Sequence, residues 1–179
     1  MPASFCSSCG TQVGSIDTSL SWTCSSCSQH HHQSPIPVAI AVVPIVQDDG
    51  AFVGLVGVVR KHQSSNQMML PDGVLDVGED AVSAAARIVF EHTGLLIDLD
   101  DTTVVESYAS ESGQHLLLAV QFPSIEWSVF NKMAEEFQEN PMANAMLVVD
   151  STTPLEFASH ESIVNKTCST FFRPRKHKM

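Results

Sequence analysis

Basic residues are scarce in this sequence. Nine Lys and Arg stand against 20 Asp and Glu, which gives a formal net charge of -11 over 179 residues. Four of the nine lie in a basic tail at residues 173–179, which we expect to be a solvated terminus. A surface this acidic repels phosphate backbones, so generic nucleic-acid binding is disfavoured. Hydrophobic residues still make up 44% of the chain, so a normal core can form.

Long apolar runs are also missing. No run approaches the roughly 20 residues that cross a bilayer, so no membrane partner is expected. The N-terminus lacks a charged stretch followed by an apolar one, so no signal peptide is expected. These absences favour a reducing, cytoplasmic location, where paired cysteines more often bind metal than form disulfides.

Cysteine is rare but concentrated. Four of the five cysteines lie in the first 27 residues, as two C-x2-C pairs with 14 residues between them. Four thiolates at this spacing can close a tetrahedron around zinc, and Gly10 suits the tight turn after the first pair. The sequence therefore predicts a structural zinc ribbon over residues 1–32, with metal binding supplying its folding energy. Structural disulfides and a redox C-x2-C are the less favoured alternatives. The predicted ligands are Cys6, Cys9, Cys24 and Cys27.

Three histidines and the fifth cysteine need separate interpretations. With four cysteines available for zinc, His30, His31 and His32 are expected to be exposed linker residues. Residues 33–37, which contain two prolines, are expected to form an extended connector. Cys168 stands alone, and we expect it to be a small buried apolar residue.

The remainder of the chain mixes strand and helix patterns, which predicts the α/β class. Apolar runs predict strands at residues 38–46, 51–60, 68–70, 103–108, 115–122 and 145–149. Helices are predicted at residues 80–92, 127–140 and 159–171. A turn at Asp48-Asp49-Gly50 predicts a hairpin between the first two strands.

The segment at residues 70–97 is the most informative, because a glycine-containing loop leads directly into a helix. Acidic residues open that helix, and Gly94 stands where a C-terminal glycine cap belongs. Arg87 and Glu91 are four residues apart and can pair, while Ile88 and His92 share that helix face.

This segment resembles the Nudix box, G-x5-E-x7-R-E-U-x-E-E-x-G-U, in which U is a bulky aliphatic residue. The spacing is intact across all 23 positions, and the resemblance extends over residues 38–172. It implies a Nudix α/β/α sandwich with a mixed sheet, preceded here by a small zinc ribbon. That combination is similar to the NADH pyrophosphatase branch. The matching residues are Gly73, Glu79, Arg87, Val89, Glu91, Gly94 and Leu95.

Two positions depart from the pattern. Ile88 stands where the family has the glutamate after its arginine, and His92 replaces the second of the paired glutamates. In the family these carboxylates bind Mg²⁺ or Mn²⁺ across a pyrophosphate, and in several members the first also acts as general base. Isoleucine can neither ligate a cation nor accept a proton, and histidine suits Mn²⁺ or a softer metal better than Mg²⁺.

The resemblance also implies the site residues. Glu79 and Glu91 are the catalytic candidates, and Glu91 with His92 would hold a divalent cation. Gly73 and Arg87 would support the substrate loop. Further carboxylates that could contribute to the metal site or serve as a base are Asp72, Asp76, Asp80, Glu106 and Glu111.

Three hypotheses follow. The first is a nucleotide- or dinucleotide-binding protein with a degenerate Nudix box, whose diphosphate hydrolase activity is lost or strongly reduced. It is favoured because losing a general base typically costs about 10²–10⁴-fold in rate. The second is an active Mg²⁺- or Mn²⁺-dependent hydrolase of nucleoside diphosphates linked to another moiety, of the NADH or ADP-ribose type. The third is a protein-interaction module in a larger assembly. Homodimerisation is plausible by the same resemblance.

Overall fold

The computed structural model describes residues 4–14, 21–31, 35–62 and 65–171. The chain divides into two units, Met1–Pro35 and Ile36–Met179. Within the described residues, no helix combines the length and apolar character needed to cross a membrane.

The first unit is built from two small antiparallel hairpins. Strand β1 (Ser4–Phe5) pairs with β2 (Gln12–Val13), and β3 (Trp22–Thr23) pairs with β4 (His30–His31). Each hairpin carries one C-x2-C pair in its turn, which places the two cysteine pairs in equivalent positions.

The second unit consists of two mixed sheets and three helices in its described part. The strands are β5 (Ile36–Val42), β6 (Pro44–Val46), β7 (Phe52–His62), β8 (Ser65–Met69), β9 (Asp72–Val74), β10 (Thr103–Ala109), β11 (His115–Gln121), β12 (Ile125–Glu126) and β13 (Ala145–Val149). The helices are α1 (Ala81–Thr93), α2 (Trp127–Glu136) and α3 (Ala158–Phe171). One sheet has the order β10-β11-β5-β9, and the other has the order β12-β6-β7-β13 with β8 also paired to β7. β11 runs parallel to β5 and β12 parallel to β6, whereas the remaining pairs are antiparallel.

The strand β5 separates two apolar layers. Ala39 and Ala41 belong to the core cluster that includes Ile88 of α1, whereas Ile40 belongs to the cluster that includes Ile163 of α3. Side chains alternate along a strand, so β5 presents one face to each helix. The α/β/α sandwich expected from the sequence is confirmed.

Helix α1 begins and ends where its sequence signals predicted, to within a residue. The Asp80 carboxylate accepts a hydrogen bond of 2.8 Å from the main-chain N of Ser83 and caps the first turn. At the other end Gly94 has φ 73° and donates its N–H to the Phe90 carbonyl. A left-handed residue of this kind ends many helices, and glycine adopts the conformation without steric cost.

Four predictions differ from the structure. Ile36 and Pro37, expected in the connector, begin β5, and the predicted loop before α1 contains the short strand β9. The predicted strand at residues 38–46 is divided, because Pro44 starts β6 in the other sheet and has no N–H for continued pairing.

The predicted helix at residues 127–140 ends at Glu136. Phe137, the next residue, has an extended backbone with ψ 130° and cannot continue the helix. Further on, Asn140 accepts the main-chain N–H groups of Met142 and Ala143 in a turn.

Candidate functional site

The four cysteines of the first unit form a cluster. Their sulfur atoms all lie within 4.8 Å of one another, with Cys6 and Cys24 buried and Cys9 and Cys27 exposed. The Sγ atoms of Cys6 and Cys27 are 3.8 Å apart, as are those of Cys9 and Cys24. These separations equal the edge of about 3.8 Å of a tetrahedron with Zn–S bonds near 2.3 Å, and greatly exceed the roughly 2 Å of a disulfide bond. The cluster therefore fits a zinc ribbon.

The two cysteine pairs have the same local backbone. Gly10 donates its N–H to the Cys6 carbonyl with φ 71°, and Ser28 donates to the Cys24 carbonyl with φ 60°. Both knuckles therefore close with a residue in the left-handed region. The first uses the glycine noted in the sequence, and the second uses a serine that composition did not single out.

Two of the three histidines belong to the ribbon, so the expectation that they are exposed linker residues is wrong for His31. His31 pairs with Trp22 in the β3–β4 hairpin and stacks on its ring at a centroid distance of 4.2 Å. Its Nε2 lies 3.3 Å from the Sγ of Cys6. His30 is exposed but is also part of this strand, and His32 lies outside the described residues.

In the second unit, Arg87 binds the side chains of Glu79 and Glu91, the two glutamates that match the box. Its Nε and Nη2 donate to the two oxygens of Glu79 at 2.8 and 2.7 Å, and its Nη1 lies 3.2 Å from a Glu91 oxygen. Nη2 also donates to the Val74 carbonyl at 3.1 Å, a hydrogen bond that links α1 to β9. These hydrogen bonds from Arg87, together with one from the Asp76 main chain, lower the pKa of Glu79 to about 2. Both catalytic candidates are therefore hydrogen-bonded to one guanidinium.

Ile88 is a core residue. It is 1% exposed and packs among the apolar residues between α1 and β5. A Cβ built on Gly73 would lie 3.1 Å from its Cγ1 and Cδ1 atoms. The glycine of the box therefore lets β9 pass directly over this side chain.

His92 is completely buried, and burial together with the nearby charge of Arg60 lowers its pKa to about 4. Its Nε2 lies 3.3 Å from the Arg60 Nη2. An arginine only donates, so this nitrogen accepts and the proton of the neutral ring is on Nδ1. The Nδ1 atom is buried without a hydrogen-bond partner among the described residues.

Arg60, near the end of β7, also contacts Asp72, the first residue of β9. Its Nη2 lies 3.4 Å from both the main-chain oxygen and the Oδ1 of Asp72. Burial raises the pKa of Asp72, and the charge of Arg60 opposes that shift. Asp72, His92 and Arg60 thus form a trio that we call the arginine clip.

In the described part of the chain, the box residues are not clustered as ligands of a divalent cation. Ile88 offers no ligand atom, His92 accepts from an arginine, and Glu79 is held by Arg87. Among the side chains that the structure describes, the four cysteines are the only group of three or more potential ligands whose atoms are clustered closely enough to hold a metal ion.

The two carboxylates considered as alternative bases lie elsewhere. Glu106 and Glu111 line a groove of about 660 Å³ between β10 and the start of α3. Glu106 is paired with Lys166, and the buried hydroxyl of Tyr108 in the same groove has no hydrogen-bond partner among the described residues. Glu106 and Glu111 therefore line a groove next to β10 and α3, and neither Glu79 nor Glu91 lines that groove.

A family model for the NUDIX domain matches residues 35–146, which is more than half of the chain. The chain belongs to the Nudix family. No curated protein sequence matches this Nudix chain. The sequence match and the fold together identify the family.

Solved structures agree on the fold. A NUDIX hydrolase from Nitrosomonas europaea is 16% identical with a TM-score of 0.61, and the match covers 92% of this chain and 90% of that one. The NUDIX domain of Shewanella oneidensis NrtR, complexed with ADP ribose, is 14% identical with a TM-score of 0.54 and coverages of 78% and 90%. The chain spans only 38% of the length of another structure that it matches, a MutT/nudix family protein from Enterococcus faecalis (15% identity, TM-score 0.46), and that likeness is too weak to support the fold.

Several residues of this site escaped the sequence analysis. Arg60 lies on a strand outside the box, and no spacing pattern connects it to Asp72 or His92. His160 of α3 is 2% exposed and accepts the Leu70 main-chain N–H at its Nδ1. Asn140 donates to the His92 carbonyl at 3.1 Å. Each contact joins residues distant in sequence, so only the folded chain reveals it.

Proposed function

We propose that this chain is a Nudix-fold nucleotide-binding protein whose diphosphate hydrolase activity is lost or strongly reduced. The observation that carries the proposal is the burial of both altered box positions, Ile88 in the apolar core and His92 against an arginine. A hard divalent cation needs carboxylate oxygens to neutralise a diphosphate and activate water, and neither position supplies one.

The retained box residues support binding without hydrolysis. Gly73, Glu79 and Arg87 hold the loop and helix in place through the contacts described above. The close packing at Gly73 and the ion pair between Arg87 and Glu79 hold this segment in its conformation without a metal ion. The structure of the NrtR NUDIX domain with ADP ribose makes that compound a suitable first probe.

The decisive experiment measures hydrolysis and binding on the same sample. The protein is incubated with NADH, ADP-ribose and FAD in Mg²⁺ or Mn²⁺, and release of AMP is followed. We expect binding of at least one of these by calorimetry, and turnover at least about 10²-fold below ordinary enzyme rates of roughly 10 s⁻¹. Metal-dependent turnover near ordinary rates contradicts the proposal, and Glu106→Gln and Glu111→Gln then test whether either groove carboxylate is the base.

Absence of both turnover and nucleotide binding would favour a protein-interaction module instead.

Four free thiols clustered for zinc suit a reducing compartment, so a cytoplasmic location belongs to the proposal. Homodimerisation remains a prediction, which light scattering on the purified full chain tests directly.

A further inference from the structure

The arginine clip puts a permanent positive charge among groups that could otherwise ligate a metal. The Nη2 atom of Arg60 lies 3.4 Å from the carbonyl oxygen and from a carboxylate oxygen of Asp72, and 3.3 Å from the imidazole Nε2 of His92. Carbonyl oxygen, carboxylate oxygen and imidazole nitrogen are all common ligands of divalent cations.

These three acceptors are already engaged by the guanidinium. Arginine stays protonated at every accessible pH, so its charge cannot be removed to admit a metal ion. A divalent cation placed beside this charge would be strongly repelled, because like charges at such short range repel even with substantial screening. Arg60 therefore excludes a metal from the acceptors that it contacts.

The same guanidinium keeps donors for a ligand. Only Nη2 has partners among the described residues, so Nε and Nη1 retain their N–H groups. The side chain is 33% exposed, which lets a solute reach it. Each of these N–H groups can donate to a phosphate oxygen in a direction fixed by the planar guanidinium, whereas an ammonium acts as a point charge.

We propose that Arg60 is the cationic centre of this Nudix box and binds the diphosphate of a nucleotide directly, without a divalent metal ion. This inference rests on the proposed nucleotide-binding function and adds how the anion is recognised. Because the chain carries a net charge of -11, long-range electrostatics repel a diphosphate, and the affinity has to come from local donors such as these.

The test measures ADP-ribose binding to the full chain by calorimetry, in EDTA and in Mg²⁺ or Mn²⁺. We expect affinities that agree within about twofold with and without metal, since no metal takes part. Arg60→Gln should weaken binding at least about tenfold in both buffers, the loss typical of a hydrogen bond to a charged group. Arg60→Lys keeps the charge but loses the planar, fixed N–H donors, so its affinity should lie between those of the wild type and Arg60→Gln.

Lys132→Gln is the matched control. Lys132 is an exposed cation on α2, so this variant loses the same charge and should bind like the wild type. Thermal unfolding of each variant, and the phosphorus NMR shift of bound ADP-ribose, separate a lost ligand contact from a general loss of folding.

The outcomes distinguish the two proposals. Binding that appears only with Mg²⁺ or Mn²⁺, or that survives Arg60→Gln in a folded protein, overturns the role of Arg60 and leaves nucleotide binding intact. Absence of binding to all three nucleotides in every buffer overturns both. Metal-independent binding that is lost in Arg60→Gln and partly kept in Arg60→Lys supports both.

Discussion

Gly73 and Ile88 are packed so closely that a Cβ on the glycine would lie 3.1 Å from two side-chain atoms of the isoleucine. The backbone of Gly73 does not have a positive φ, so an alanine there meets no conformational strain of that kind. The requirement for glycine at this point of the box therefore comes from its contact with the core.

This contact predicts an energetic coupling between the two residues. Gly73→Ala should destabilise the protein by about 1–3 kcal/mol, because the added methyl group overpacks the core. Ile88→Ala removes the crowding atoms and should itself cost about 2–5 kcal/mol. In the Ile88→Ala background, Gly73→Ala should change the free energy of unfolding very little. Denaturant unfolding of the wild type, the two single variants and the double variant should therefore give a coupling energy of at least about 1 kcal/mol. Additive costs would show that the glycine is needed for another reason.

The two carboxylates held by Arg87 should contribute unequally to stability. Glu79 is 20% exposed and binds the guanidinium through both oxygens, whereas Glu91 is 40% exposed and makes longer contacts. Glu79→Gln should therefore lower the melting temperature by several degrees and Glu91→Gln by much less. The pKa of Glu79 is lowered to about 2, so its contribution is present above the unfolded value near 4.5 and is lost as the pH falls toward 2. Equal melting temperatures at neutral pH would contradict this ranking.

His160 should make the protein sensitive to acid. Burial, aided by the charge of Arg60, lowers its pKa to about 4, so it is neutral in the folded state while the unfolded histidine takes up a proton below about pH 6.5. The unfolded state binds more protons between these values, and the free energy of unfolding should fall by about 3 kcal/mol as the pH drops from 6.5 to 4.

His160→Asn tests this assignment, because the amide oxygen can still accept the Leu70 N–H that His160 accepts now. Chemical denaturation across pH 4 to 7.5 should show a shallower decline in the variant. Some slope should remain, since the pKa of His92 is lowered in the same way. Identical slopes in the two proteins would mean that His160 is not responsible.

The cysteine cluster predicts about one zinc ion per chain. Cys24 is buried within the cluster, so Cys24→Ser should abolish stoichiometric zinc, as measured by elemental analysis. Cys168 is 3% exposed in the second unit and serves as the matched control, because Cys168→Ser should keep its zinc. A purified protein that contains disulfides and no metal would refute the zinc assignment.

How much of this structure the sequence could predict depended on how local each signal was. Helix α1 was placed to within a residue because Asp80 and Gly94 cap it through contacts inside one or two turns. Helix α2 was predicted too long because it ends just before Phe137, which has an extended backbone but is neither a glycine nor a proline, so the sequence carries no local stop signal there.

In the candidate site, too, contacts local in sequence were predictable and long-range contacts were not. The pairing of Arg87 with Glu91 follows from helical spacing and was foreseen. The contacts of Arg60 with Asp72 and His92 join two strands and a helix, and no periodicity encodes them. The stacking of His31 on Trp22 likewise depends on how two short strands meet. The sequence therefore revealed which box carboxylates are missing, and folding revealed the cation beside the altered position.

Restoring the missing carboxylates alone should not restore metal binding. In Ile88→Glu/His92→Glu the new carboxylate at position 92 would lie beside Arg60, whose Nη2 is 3.3 Å from the present side chain, and should pair with it. Adding Arg60→Gln removes that competitor and its charge, so the triple variant should bind Mn²⁺ at least about tenfold more tightly than the double variant. Electron paramagnetic resonance of free Mn²⁺ measures both affinities, and circular dichroism confirms that each variant is folded. The control replaces Arg60→Gln by Lys132→Gln and should behave like the double variant. Equal Mn²⁺ affinities for the double and triple variants would show that the carboxylates alone decide metal binding, and that Arg60 does not compete with the ion.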